Sequence, residues 1–296
     1  QAYGYTPMMW SDMYFRFCSP QNRYYDMDHP LTPEVLDSIS DEVGLVYWDY
    51  YTHDPQVFDT MLARHLETKS PEVWFAGGVQ TWNGIKANVG KAFATSELAL
   101  KSCKKLGIDH VIATAWGDNG GEVSVFESLV VLQIFGDFAW NDYVPSRTEV
   151  ISRFSQTYGV DGRAFYDMRL FDEVPGVEKD NPHMVNPSKY ILYSDPLGDD
   201  LIDHYRDLAE YYDRRTNETE GMAKLFYLQS AQLADVLARK VRLTLELRPM
   251  YLDDDYRGLR SLVDHDLPDL IAAVQDYQAF SLSIWYLYNK PEGSEV

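Results

Sequence analysis

The first 145 residues alternate between short apolar runs and segments of helical period. The runs at 5–10, 43–48, 73–77 and 108–116 are apolar throughout rather than at every second residue. That is the pattern of strands buried on both faces of a parallel sheet. The segments 34–39, 55–69, 89–106 and 122–140 carry helical spacing, and 11–33 reads as a polar loop. Pro55 suits a first helical turn and Gly107 a helix C-terminus. Four strand–helix units without a hairpin signal imply right-handed crossovers.

After Pro145 helical patterns dominate, at 149–158, 201–215, 222–248 and 256–289, the last with a break at Pro268. A loop with three prolines spans 174–187. Within 222–248, Leu225, Leu228, Gln232, Leu233, Val236, Lys240, Leu243 and Leu247 mix at helical spacing and give a helix with a wide apolar face. No repeat of 20–50 residues marks a solenoid. The predicted organisation is therefore α/β at 1–145 and all-α at 146–296. Four strand–helix units make half of an eight-stranded (β/α)8 barrel. They also suit an open doubly wound sheet, although no glycine-rich phosphate loop follows the first strand.

Composition removes several classes. With 46 acidic and 26 basic residues the net charge is −20, which argues against nucleic acid and against anchoring on anionic lipid. No apolar stretch approaches the ~20 residues of a membrane span. Cys18 and Cys103 lie far apart, so neither a disulfide framework nor a cysteine zinc site is expected. The seven histidines show no metal-ligand spacing, no metal or cofactor is implied, and no G-x-S-x-G elbow is present. The acidic clusters at 199–200 and 253–255 read as solvated helix N-termini.

In a (β/α)8 barrel, function sits at the C-terminal ends of the strands. Those ends read Trp10-Ser11-Asp12, Tyr47-Trp48-Asp49-Tyr50-Tyr51, Gly77-Gly78-Val79-Gln80-Thr81-Trp82 and Trp116-Gly117-Asp118. Every one carries Trp, and three place Asp within two residues of it. A pyranose stacks its C–H face on an indole and shares hydrogen bonds with carboxylates. The bland account is that each Trp fills core and each Asp caps a helix. Four such ends on one rim favour a sugar pocket. His53 lies on the same rim, where a place near a helix cap suffices to explain it.

The segments 7–13, 46–51 and 113–122 resemble glycoside hydrolase family 20, and most closely its bacterial exo-β-N-acetylglucosaminidases with a helical C-terminal domain. Tyr193-Ser194-Asp195-Pro196 and Asn289-Lys290-Pro291 are similar to that branch as well. The resemblance implies removal of terminal β-linked N-acetylglucosamine or N-acetylgalactosamine with retention, the substrate's own 2-acetamido oxygen acting as nucleophile. It implies that Trp10 and Trp82 wall the acetamide, Tyr47 holds the acetamide oxygen, Trp116 forms the stacking floor and Asp118 takes outer hydroxyls. Strand alternation leaves open whether Tyr47 and Asp49, or Trp48 and Tyr50, point into the pocket.

One part of the family pattern is missing. Its catalytic Asp-Glu pair follows His-x-Gly-x on the fourth strand, whereas here Asp-Glu occurs only at Asp41-Glu42 and Asp172-Glu173. The first precedes a strand and the second lies in the helical half. The family's sugar-binding arginine also lacks a counterpart. The chain, opening on Gln1, is accordingly read as the C-terminal half of a TIM-type barrel, about strands five to eight, followed by an all-α domain. The general acid is expected upstream, and the N-terminal half of the barrel or another chain is expected to complete the fold. The alternatives are a non-catalytic carbohydrate-binding remnant and an acidic interaction protein whose aromatics are all core.

Overall fold

The computed structural model describes residues 4–118, 121–193 and 200–290. Among them four strands form one parallel sheet in chain order: β1 Met8–Trp10, β2 Gly44–Trp48, β3 Val73–Gly78 and β4 Val111–Thr114. The register sets Trp10 beside Val46, Val46 beside Trp74, Trp48 beside Ala76 and Gly78 beside Thr114. The connections are helical. α1 Asp12–Cys18 and α2 Pro33–Ser38 join β1 to β2, α3 Pro55–Leu66 joins β2 to β3, and α4 Val89–Leu106 joins β3 to β4. α5 Leu129–Trp140 and α6 Arg147–Tyr158 follow.

The chain divides into two compact units. The first comprises Gln1–Gln80, Lys91–Trp116 and Leu129–Arg153; the second comprises Thr81–Gly90, Gly117–Ser128 and Phe154–Val296. Two loops from the first 145 residues thus belong to the second unit.

In the first unit one sheet face is covered by helices. Tyr47 of β2 and Phe75 of β3 point to it, with Tyr47 5.6 Å from Phe75 and 5.1 Å from His65 of α3, ring to ring. Phe58 of α3 packs edge-on to Phe75 at 6.0 Å, and Phe15 of α1 stacks on His65 at 4.5 Å. These side chains are buried. Gly77 permits the approach of α5, because a Cβ there would stand 2.7 Å from the Phe135 ring. Asp54 caps α3 by accepting from Gln56 N at 2.9 Å, with Pro55 as its first residue.

The second unit is helical: α7 Gly162–Asp167, α8 Pro187–Tyr193, α9 Asp200–Glu218, α10 Met222–Leu252, α11 Tyr256–Ser261 and α12 Leu267–Trp285. α10 packs along both α9 and α12. Its core is a tyrosine ladder whose hydroxyls find backbone carbonyls, as buried phenols must. Tyr205 donates to Phe171 O at 2.9 Å, Tyr212 to Ala164 O at 3.0 Å and Tyr227 to Asp161 O at 3.0 Å.

Several boundaries differ from the sequence reading. Part of the 11–33 loop is α1, which buries Phe15 alone and so shows little periodicity. The segment 122–140 splits into a 3-10 turn at Val125–Ser128 and then α5, because 117–128 belongs to the second unit. The break in 256–289 is a wide π turn at Leu262–Asp266, placed just before Pro268, which lacks the N–H to continue a regular ladder. Asp255 caps α11 as expected, accepting from Gly258 N at 2.9 Å. Asp199, Asn119-Gly120, Ser194-Asp195-Pro196 and Pro291 lie outside the described residues.

Candidate functional site

The second sheet face of the first unit carries the rim aromatics. Trp10 shares its register row with Val46, so Trp10 and Trp48 lie on one face, opposite Tyr47. The Trp48 ring is 5.1 Å from Tyr50. Trp116 Nε1 donates to the Tyr50 hydroxyl at 3.2 Å, and the Trp10 and Trp116 rings stand 6.3 Å apart. Trp10 belongs to β1 and Trp116 follows β4, outer strands that three spacings of a flat sheet would hold about 14 Å apart. Their rings nevertheless meet over this face. Trp10 is 41% exposed and Trp116 42% exposed. Two large indoles are therefore presented to solvent at the carboxyl ends of parallel strands, where such sheets place their ligands.

Not every expected residue joins this cluster. Tyr47 is sealed behind the sheet with its hydroxyl donating to Asp49 Oδ2 at 3.1 Å, so the acetamide-oxygen role expected of it has no access. Burial, with the Asp49 charge beside it, holds that phenol well above the ordinary tyrosine range. Asp49 is spent on the loop itself. Its Oδ1 accepts from Tyr51 N at 2.9 Å and Thr52 N at 3.0 Å, and its Oδ2 from Thr52 Oγ1 at 2.6 Å. Such a side-chain turn fixes the direction in which Trp48 and Tyr50 leave the strand. Trp82 and Asp118 lie in the second unit, Trp82 buried and Asp118 exposed.

Other residues contribute to which the sequence reading gave no role. Tyr24 stands 5.6 Å and Tyr51 6.4 Å from the Trp48 ring. Gln80 donates to Tyr50 O at 2.6 Å. Lys91 of α4 donates to Tyr51 O at 3.4 Å and lies 3.2 Å from His53 Nε2. Burial pulls this ammonium down to about 8, opposed by the Asp49 charge. The loop 49–53 is thus held from α4, from the end of β3 and from within. Only the run of aromatics at 47–51 announces it in the sequence.

Two arrangements look chemical and are structural. Ser11 Oγ is 2.7 Å from His65 Nε2, and His65 Nδ1 is 2.6 Å from Met61 O. The carbonyl can only accept, so Nδ1 carries the proton. This resembles a nucleophile–base pair, yet neither side chain has exposed surface, and burial depresses the imidazole to about 4. The second is Asp172-Glu173 in the second unit. Asp172 Oδ1 accepts from Ser188 N at 3.1 Å and Ser188 Oγ at 2.7 Å, and Glu173 pairs with Arg169. Gly84 and Gly90 make room for these carboxylates: a Cβ on Gly90 would stand 1.9 Å from Glu173 Oε1.

Burial pushes the Asp172 carboxyl up to about 6, outweighing the bonds from Ser188. The folded state then holds a proton that the unfolded chain has released. Asp172 accordingly opposes folding increasingly as pH rises from about 4 to about 6, by on the order of 2–3 kcal/mol. Asp172→Asn keeps an acceptor for Ser188 and removes that slope. In urea titrations the advantage of Asp172→Asn over wild type should be small at pH 4 and grow to its full value by pH 7. An equal difference at both pH values contradicts the account.

Among the described residues no group of three or more His, Cys, Asp or Glu is placed to hold a metal ion, and no helix is long and apolar enough to cross a membrane. In comparison with known families, residues 163–296 match the Glycoside Hydrolase 20C C-terminal domain. The resemblance to the C-terminal part of family 20 is thereby shown for that segment. No curated protein matches the chain.

Proposed function

We propose that this chain is the C-terminal part of a β-N-acetylhexosaminidase. In this reading 1–145 supply half of a (β/α)8 barrel, 146–296 form the helical C-terminal domain, and the rim aromatics bind a terminal N-acetylhexosamine. The observation that carries it is the meeting of Trp10, Trp48, Tyr50 and Trp116 over one face at the carboxyl ends of parallel strands. The closing of rings from the two outer strands supports a sheet that curls towards this face, as half a barrel does. The Glycoside Hydrolase 20C match over 163–296 supports the reaction class.

The chemistry then divides between segments. The substrate's acetamide oxygen attacks the anomeric carbon as the bond to the aglycone oxygen breaks, that oxygen taking a proton from the general acid. Water then opens the oxazolinium ion with retained configuration, giving its proton back to the same group. The aromatics here exclude water and stack on the sugar's C–H face. The only Asp-Glu pairs, Asp41-Glu42 and Asp172-Glu173, do not lie at the carboxyl ends of the strands. The general acid and the orienting carboxylate therefore come from outside these residues. This chain alone should release no aryl alcohol from an aryl N-acetyl-β-glucosaminide, and a segment supplying four more strands with a His-x-Gly-x-Asp-Glu should restore hydrolysis. Rapid cleavage by the isolated chain sinks the division of labour. Failure of the completed protein to cleave sinks the enzyme reading and leaves sugar binding without catalysis.

A further inference from the structure

Gln80 breaks two local rules at once. It has φ of 57°, a left-handed conformation that a residue with a Cβ rarely adopts, and it sits two residues beyond β3. Its side chain is fully buried, and Oε1 has no hydrogen-bond partner among the described residues. A buried unpaired carbonyl oxygen and a strained backbone both cost stability, and natural chains keep such costs chiefly where function needs them.

The other end of the same amide shows what the strain accomplishes. Nε2 donates to Tyr50 O at 2.6 Å, from β3 across to the loop after β2. Tyr50 in turn receives the Trp116 indole N–H on its hydroxyl at 3.2 Å. A regular β conformation at Gln80 would send its side chain along a different vector, because successive residues alternate between faces. Gln80 therefore reaches the half-exposed indole through a single intervening tyrosine.

We infer that Gln80 is a positioning residue for the aromatic sugar platform, holding Tyr50 so that Trp116 presents its face to the ligand. The inference rests on the sugar-binding reading of Trp116. It makes Gln80 neither a catalytic residue nor a ligand contact, since no atom of its side chain is open to solvent.

The test separates this role from a merely structural one. Gln80→Gly relieves the left-handed strain but removes the bond to Tyr50 O; Gln80→Asn tolerates the backbone and keeps a shortened amide. The readouts are the melting temperature, the Trp116 indole N–H resonance in ¹⁵N-labelled protein, and affinity for N-acetylglucosamine. In Gln80→Gly the melting temperature should hold or rise, the Trp116 indole signal should move, and affinity should fall about tenfold. Gln80→Asn should lie between it and wild type. An unmoved indole signal in a folded Gln80→Gly variant overturns the inference, as does unchanged affinity where wild type binds. A moved signal in a protein whose wild type binds no sugar leaves the positioning intact and overturns the sugar reading instead.

Discussion

Lys86→Ala should cost the second unit about 3–5 kcal/mol of stability, the magnitude seen when one partner of a buried ion pair is removed. Lys86 is almost wholly buried and its Nζ lies 2.6 Å from Glu127 Oε1, itself buried. The same ammonium donates to Gln229 Oε1 at 3.2 Å, and Gln229 Nε2 reaches Ser281 Oγ at 3.0 Å. One lysine thus ties the 81–90 loop, the 3-10 turn, α10 and α12 within one unit. Removing it strands a carboxylate whose Oε2 already lacks a hydrogen-bond partner among the described residues. Lys86→Met combined with Glu127→Leu should recover most of the loss, because no charge is then left unpaired. Urea denaturation of the two single variants and the double variant checks this. A Lys86→Ala cost below about 1 kcal/mol, the range of exposed pairs, contradicts it.

Lys86 also shows where the sequence stops being readable. Local signals did well where local physics decides. The apolar runs gave strands, Pro55 and Asp54 start α3, and α4 ends at Leu106 before Gly107 with φ of 72°. A loop lysine between Ile85 and Ala87 carries no mark of burial, because the carboxylate that neutralises it and the amide that also accepts from it lie 41 and 143 residues along the chain. For the same reason the assignment of 81–90 and 117–128 to the second unit had no compositional signal. α7 and α8, at six and seven residues, are too short for a period to register.

The candidate site was half legible. Trp at each strand end marked the rim, and Trp10, Trp48, Tyr50 and Trp116 do gather there. Side-chain direction was not legible, since alternation fixes which residues share a face but not which face the helices cover. Tyr47 faces α3 because it completes the Phe58, His65 and Phe75 packing. Asp49, which by type could bind a sugar hydroxyl, instead closes the turn that aims Trp48 and Tyr50. Gln80 had no signal at all, because its role depends on a backbone angle that glutamine seldom takes.

The second large effect concerns Trp116. Its indole is nearly half exposed, with its edge hydrogen-bonded to Tyr50 and its ring in tilted contact with Trp10. More than half of this large ring is nevertheless buried, so truncation should cost stability on the order of 2–4 kcal/mol. The loss of a stacking floor should in addition weaken sugar binding by the folded variant about 100-fold, or ~3 kcal/mol. An aromatic that merely filled core would cost about 3–5 kcal/mol of stability with no specific effect on a ligand, so affinity in the folded variant is the discriminating readout.

The most direct measurement is therefore a calorimetric titration of the protein with the thiazoline analogue of N-acetylglucosamine, wild type beside Trp116→Ala, with melting curves for both. The account predicts saturable binding by wild type, affinity about 100-fold weaker in Trp116→Ala, and a cooperative melt in both, lower in the variant. Absence of binding by the wild-type protein, or equal affinity in the two, contradicts it.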